Sequence, residues 1–213
     1  MDKAQVIKKL TDCGVVAVVR AESADQAKKI AAACMEAGIV GIEITFTVPG
    51  ALKIIESLCA EYTSDQILLG AGTVLDKETA RAAILAGAKY VVSPCLVVET
   101  VQLCNTYGVP CMPGAMTVKE AVEGMKAGAD IIKIFPGELF GSGIIKAFKG
   151  PLPQMKMMPT GGVTVENIPD WIKAGAVAVG AGGSLTAGAK TGDYASIVTI
   201  GKQMVEAVKN ARK

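Results

Sequence analysis

Three charged side chains interrupt apolar, strand-like runs, and together they define a chemistry. Lys133 sits inside Ile131-Ile132-Lys133-Ile134-Phe135-Pro136. Arg20 ends Val15-Val16-Ala17-Val18-Val19, and Val40-Gly41-Ile42 leads into Glu43-Ile44-Thr45. Burying an ammonium or a carboxylate is costly unless the group is paired or neutral. A lysine whose surroundings disfavour its charge serves as a base or as an imine-forming nucleophile. A Lys, a Glu and an Arg near the ends of neighbouring buried strands make a reaction centre. The plain alternative is a structural Lys–Glu ion pair. The chain contains no His. Ser-His-Asp chemistry, His-ligated metal and His general bases are therefore excluded, and proton transfer falls to Glu, Asp, Lys, Tyr, Cys or water.

The elements that must position these groups follow a loose repeat. Ala37-Gly38, Ala86-Gly87, Ala127-Gly128 and Ala174-Gly175 each precede a short apolar run. Each reads as a helix ending at Gly, where φ is often positive, followed by a strand. Strands are expected near 15–20, 40–45, 67–71, 90–93, 109–113, 131–135, 155–159 and 177–181. Ser23-x-x-Gln26 and Thr117-x-x-Glu120 read as capping boxes, and Asp76 is placed to cap a helix through Ala80–Leu85. An extra helix is expected over about 2–12 and a last one over about 194–210. Eight strands alternating with helices predict a single-domain (β/α)8 TIM barrel over residues 1–213 with an extra N-terminal helix. An open doubly wound sheet usually needs a glycine turn after its first strand, and here Arg20-Ala21-Glu22-Ser23 follows.

Catalytic groups of a parallel barrel sit at the C-terminal ends of strands and in the loops beyond. Side chains alternate along a strand. Ile131, Lys133 and Phe135 therefore share one face, and Gly41, Glu43 and Thr45 share another. Ile132, Ile134, Ile42 and Ile44 then face the helices, and Gly41 leaves room below Glu43 for substrate or water. Gly70-Ala71-Gly72-Thr73 offers close backbone approach, with a Thr73 hydroxyl and amide for a carboxylate. Pro159-Thr160-Gly161-Gly162 and Gly180-Ala181-Gly182-Gly183-Ser184 follow the seventh and eighth strands, where barrels bind phosphate on backbone N–H groups. Ser93-Pro94-Cys95 and Pro113-Gly114 shape the mouth. With no His to activate it, Cys95 reads as a packed thiol rather than a nucleophile.

The whole composition agrees with a compact soluble protein. The 213 residues are 51% hydrophobic and 20% charged, with a net charge of +2. Both signs are spread along the chain, which disfavours a nucleic-acid or polybasic membrane partner. Apolar stretches are strand-sized and too short to span a bilayer. The first residues lack a signal-peptide hydrophobic region. Six scattered Cys without a C-x-x-C pair read as reduced thiols of a cytoplasmic protein.

These motifs resemble the 2-keto-3-deoxy-6-phosphogluconate (KDPG) and 4-hydroxy-2-oxoglutarate (KHG) aldolase family. The resemblance is carried by Val18-Val19-Arg20, Gly41 to Pro49, Gly70 to Val74, Val92-Ser93-Pro94, Met112-Pro113-Gly114, Ile132 to Pro136 and Pro159 to Val163. It implies a (β/α)8 barrel, commonly trimeric, and a class I aldolase working without metal or cofactor. It implies Lys133 as the Schiff-base lysine and Glu43 as the general acid–base. Thr73 then helps hold the pyruvate carboxylate, with Arg20, Pro94, Phe135, Thr160 and Gly161 at the substrate and Gly162, Gly183 and Ser184 at its phosphate. Some members carry an Arg where this chain has Thr47; Arg20 stands in its place, as in another branch. The implied substrate is a 2-keto-3-deoxy acid, cleaved to pyruvate and an aldehyde in carbohydrate metabolism of the Entner–Doudoroff kind. The rival readings are a phosphosugar isomerase or synthase barrel with no covalent step, and a barrel that only binds sugar phosphates.

Overall fold

The computed structural model describes residues 1–213 as helices and parallel strands in alternation. Helix α1 (Lys3–Cys13) comes first, closed by a full capping box between Asp2 and Gln5. Strands and helices then follow as β1 (Val15–Val19), α2 (Ala24–Glu36), β2 (Gly41–Thr45), α3 (Ala51–Glu61), β3 (Leu68–Gly72), α4 (Lys77–Leu85), β4 (Tyr90–Val92) and α5 (Val98–Thr106). The second half runs β5 (Cys111–Met112), β6 (Gly114–Ala115), α6 (Val118–Ala127), β7 (Ile132–Ile134), α7 (Gly143–Lys149), β8 (Met157–Pro159), α8 (Ile168–Lys173), β9 (Val179–Ala181), α9 (Gly183–Thr186) and α10 (Tyr194–Ala211).

Six strands pair in the order β5-β4-β3-β2-β1-β9, and β6-β7-β8 form a second parallel sheet. Val16, Leu68, Tyr90, Val92 and Met112 of the first sheet share one apolar cluster with Met158 of the second. A flat sheet cannot bring those residues together, so the six-stranded sheet is curled. Val6 and Leu10 of α1 belong to the same inner cluster, so this helix plugs one end of the curl. The other strand face packs a larger cluster against the helices, with Ile42, Ile44, Ile132 and Ile134 in it, as side-chain alternation requires.

The junctions between the sheets are sparse. The strand expected near 109–113 is two short segments, β5 and β6, on either side of Pro113. Proline has no N–H and interrupts the ladder, although the Pro113 carbonyl still accepts the Lys133 N–H at 2.9 Å. On the other side a single parallel bridge joins Thr160 to Gly180, and Val177 N–H donates to the Met157 carbonyl at 3.0 Å.

The local signals account for most boundaries. Gly38, Gly87, Gly128 and Gly175 all take positive φ, between 85° and 109°. Thr117 and Glu120 form a complete capping box, and the Asp76 carboxylate accepts the Thr79 N–H at 2.6 Å. The Ser23 box is only half made. Ser23 accepts the Gln26 N–H, but the Gln26 side chain takes the N–H of Glu22 instead.

Candidate active site

Alternation places Glu43 and Lys133 on the inner face of the strands, above the apolar plug. Both are buried, at 0% and 5% exposure. Glu43 pairs in register with Val18 and Gly70, and Lys133 with Gly114 and Met158. The Glu43 carboxylate lies across Gly72, where any Cβ would collide with it. Neither carboxylate oxygen has a hydrogen-bond partner. The pair is therefore not the closed ion pair that a purely structural role requires. Burial pushes the Glu43 carboxyl above its usual range, and the charges of Lys133 and Arg20 only partly hold it down. The Lys133 ammonium stands over the Phe135 ring, 4.9 Å from its centroid.

Phe135 opens onto a cleft of about 410 Å³. Its walls are Thr160–Thr164 and Gly180 with Gly182–Ser184, and Arg20 and Val18 complete it. Thus Arg20, Phe135, Thr160, Gly161, Gly162, Gly183 and Ser184 share one cavity beside the buried pair. The Thr160 hydroxyl is buried against Gly180 without a hydrogen-bond partner. Arg20 also borders a neighbouring cleft with Thr47 and Lys190, where Thr47 hydrogen-bonds Thr45 at 2.9 Å.

Thr73 and Pro94 lie outside this cleft but close to the pair. Thr73 follows Gly72 directly and has φ of 57°, the left-handed region that a β-branched residue rarely adopts. Such a conformation costs on the order of 1–3 kcal/mol and clusters at functional sites. The Pro94 carbonyl packs against Gly114, the register partner of Lys133.

Two sequence expectations need correction. Gly41 does not leave free room below Glu43. Leu10 of α1 fills that space, with its Cδ2 2.6 Å from where a Cβ of residue 41 would stand. Cys95 is exposed rather than packed. Other residues of the cleft add detail: the Ser184 hydroxyl is already engaged, donating to the Val163 carbonyl at 2.5 Å. Glu138, which the motifs did not single out, lines the same cleft next to Gly161 and Gly162. Its position four residues past the end of β7, in a loop at the C-terminal end of a strand, was the available signal.

The raised Glu43 carboxyl gives a stability prediction with a definite sign. A carboxyl whose folded pKa lies above the unfolded value of about 4.3 favours folding most below that value. The advantage is lost as pH rises through the folded pKa. Glu43→Gln does not titrate, so it is expected to unfold at a higher temperature than the parent at pH 8. The gain is about 2–4 °C per kcal/mol relieved, and it shrinks toward pH 4. Thermal scans across that range check it, and a pH-independent difference would contradict it.

Comparison with known proteins gives the same reading from outside the geometry. A family model described as "Aldolase: KDPG and KHG aldolase" matches residues 6–200. The 2-dehydro-3-deoxy-6-phosphogalactonate aldolase of Escherichia coli (strain K12) is 35% identical over 82% of this chain and 85% of its own length. The 2-dehydro-3-deoxy-phosphogluconate aldolase of Treponema pallidum is 32% identical over 91% of this chain and 93% of its own. The solved KDPG aldolase of Legionella pneumophila, with pyruvate captured as a covalent carbinolamine, superposes with a TM-score of 0.85. It is 27% identical, covering 92% of this chain and 96% of that one. A buried lysine and glutamate beside a glycine-walled cleft, and likeness along nearly the whole length, have one common explanation: the chain belongs to the KDPG and KHG aldolase family.

Proposed function

We propose that this protein is a class I aldolase. It reversibly cleaves 2-keto-3-deoxy-6-phosphogluconate to pyruvate and glyceraldehyde 3-phosphate, and also KHG to pyruvate and glyoxylate. The observation that carries the reading is Glu43, wholly buried with both oxygens unpartnered, in the field of Lys133 and Arg20. Lys133, as free amine, attacks the C2 ketone, and the carbinolamine loses water to form an iminium. The C3–C4 bond electrons flow into that iminium and leave an enamine. Glu43 takes the C4 hydroxyl proton as the aldehyde departs, then returns a proton to C3. Water hydrolyses the resulting iminium, which releases pyruvate and frees Lys133. Thr73 holds the carboxylate end, Pro94 and Phe135 bound the reacting carbons, Thr160–Gly162 with Gly183 and Ser184 take the phosphate, and Arg20 supplies a cation to the substrate from the wall of the same cleft.

The wider reading is a single closed (β/α)8 barrel, with β5 and β6 counted as one strand and the Thr160–Gly180 bridge as the closing seam. A homotrimer is supported by apolar side chains exposed in successive loops and helix starts that follow the strands, Leu75, Val98, Met116, Val118, Leu139 and Phe140. Cytoplasmic carbohydrate catabolism of the Entner–Doudoroff kind suits this chemistry.

Ser184→Asp tests the phosphate half. It sets a carboxylate among the N–H groups assigned to the phosphate. The expected result is a large loss of kcat/KM on KDPG, through charge repulsion and lost hydrogen bonds, with a much smaller loss on unphosphorylated KHG. The ratio is the readout, because a folding defect lowers both alike. Equal losses in a well-folded variant would remove the phosphate assignment and favour an unphosphorylated substrate.

A further inference from the structure

Beneath Glu43 lies a second buried polar group that the mechanism above does not use. Tyr90 is completely buried, and its hydroxyl has no hydrogen-bond partner. Register aligns Glu43 with Gly70, and Gly70 with Tyr90, so the three stand in one row across β2, β3 and β4. The Tyr90 ring lies over Gly70, where a Cβ would collide with it. Its hydroxyl oxygen is 3.7 Å from where a Cβ of Gly41 would sit, one inward position below Glu43. The side chains around the ring in the inner cluster are Val, Leu, Met, Ile and Ala, which offer no partner. A buried hydroxyl and a buried carboxylate are both left unsatisfied in the same interior, and each such group is costly unless it is met.

We propose that Tyr90 is a positioning residue for Glu43, its hydroxyl donating to one internal water that in turn donates to the carboxylate. Such a water would sit above Leu10, between the Tyr90 hydroxyl and the carboxylate over Gly72, where it has the two polar partners such sites need. The inference rests on the proposed role of Glu43 as acid–base. Burial, then the nearby Glu43 charge and Cys13, raise the Tyr90 hydroxyl well above its usual pKa, so it stays protonated and serves as donor. The charged groups that face Glu43 itself are Lys133 and Arg20. A donor to the charged form of a carboxyl lowers its pKa. Tyr90 thereby offsets part of the upward push of burial and fixes which carboxylate orientation faces the substrate.

Tyr90→Phe removes only the oxygen and keeps the ring against Gly70. The expected result is an acid limb of the kcat/KM profile moved upward by about one pH unit. Exchange of pyruvate methyl protons with solvent should slow at pH 6, with KM for KDPG and the unfolding temperature near the parent's. In a Glu43→Gln background the same change should cost nothing further in exchange. An unmoved acid limb, or an equal loss in both backgrounds, overturns the role of Tyr90. Parent-like exchange in Glu43→Gln alone would instead overturn the reading of Glu43, so the two failures are distinct.

Discussion

Lys133→Ala should abolish pyruvate formation from every 2-keto-3-deoxy acid while leaving the protein folded. No other lysine is among the buried residues, and Lys133 alone is buried beside both Phe135 and the Glu43 carboxylate. The imine is the electron sink for C3–C4 cleavage, so its loss removes the pathway rather than slowing one step of it. Folding should survive because the alanine removes a costly buried ammonium along with the packing of its stem. Lys133→Arg should fail as completely, since a guanidinium stays protonated and cannot attack a ketone. Borohydride reduction in the presence of pyruvate gives an independent check. The parent should gain the mass of reduced pyruvate on the peptide containing Lys133, and neither variant should. Near-normal turnover in either variant, or parent labelling at another lysine, would overturn the Schiff-base assignment. A barrel working without a covalent step predicts no labelling at all.

The sequence made the site legible where chemistry and local periodicity coincide. One lysine among isoleucines and one glutamate between isoleucines are visible as anomalies, and period-two alternation decides which way they point. Ile42, Ile44, Ile132 and Ile134 in the outer cluster bear that out. The two glycine loops were equally readable, because they come to one cleft by following adjacent strands. What stayed hidden depends on contacts between distant segments. Val6 and Leu10 show helical spacing, but nothing local says that α1 inserts them under the strands and fills the space at Gly41. Tyr90 reads as an ordinary strand aromatic until the register sets it in one row with Glu43, across Gly70. Thr73 carries no mark of its positive φ, which the surrounding backbone imposes on a β-branched residue. Gln26 had two N–H groups within reach, and the turn before α2 gave it the one from Glu22.

Glu43→Gln should lower kcat by about 10²–10⁴-fold, the usual cost of losing a positioned acid–base group. The amide keeps the shape of the carboxylate across Gly72, so the loss reports proton transfer rather than packing. The burial that raises the Glu43 carboxyl is what fits it for both halves of the cycle. A carboxyl of ordinary pKa takes up the C4 hydroxyl proton poorly and would hold almost none to return at neutral pH. Raised above its ordinary range, the same group accepts the proton more readily and carries it back to the enamine carbon. Two measurements isolate this. Trapping of pyruvate on Lys133 by borohydride should persist in Glu43→Gln, because imine formation is carried by Lys133. Exchange of pyruvate methyl protons with solvent should fall with kcat, because that exchange is the enamine protonation step run alone. Exchange at the parent rate would show that some other group moves the proton, and loss of trapping would place Glu43 in imine formation as well. The parent's acid limb of kcat/KM, absent from the residual activity of the variant, ties the titrating group to this carboxylate rather than to any other in the cleft, Glu138 included.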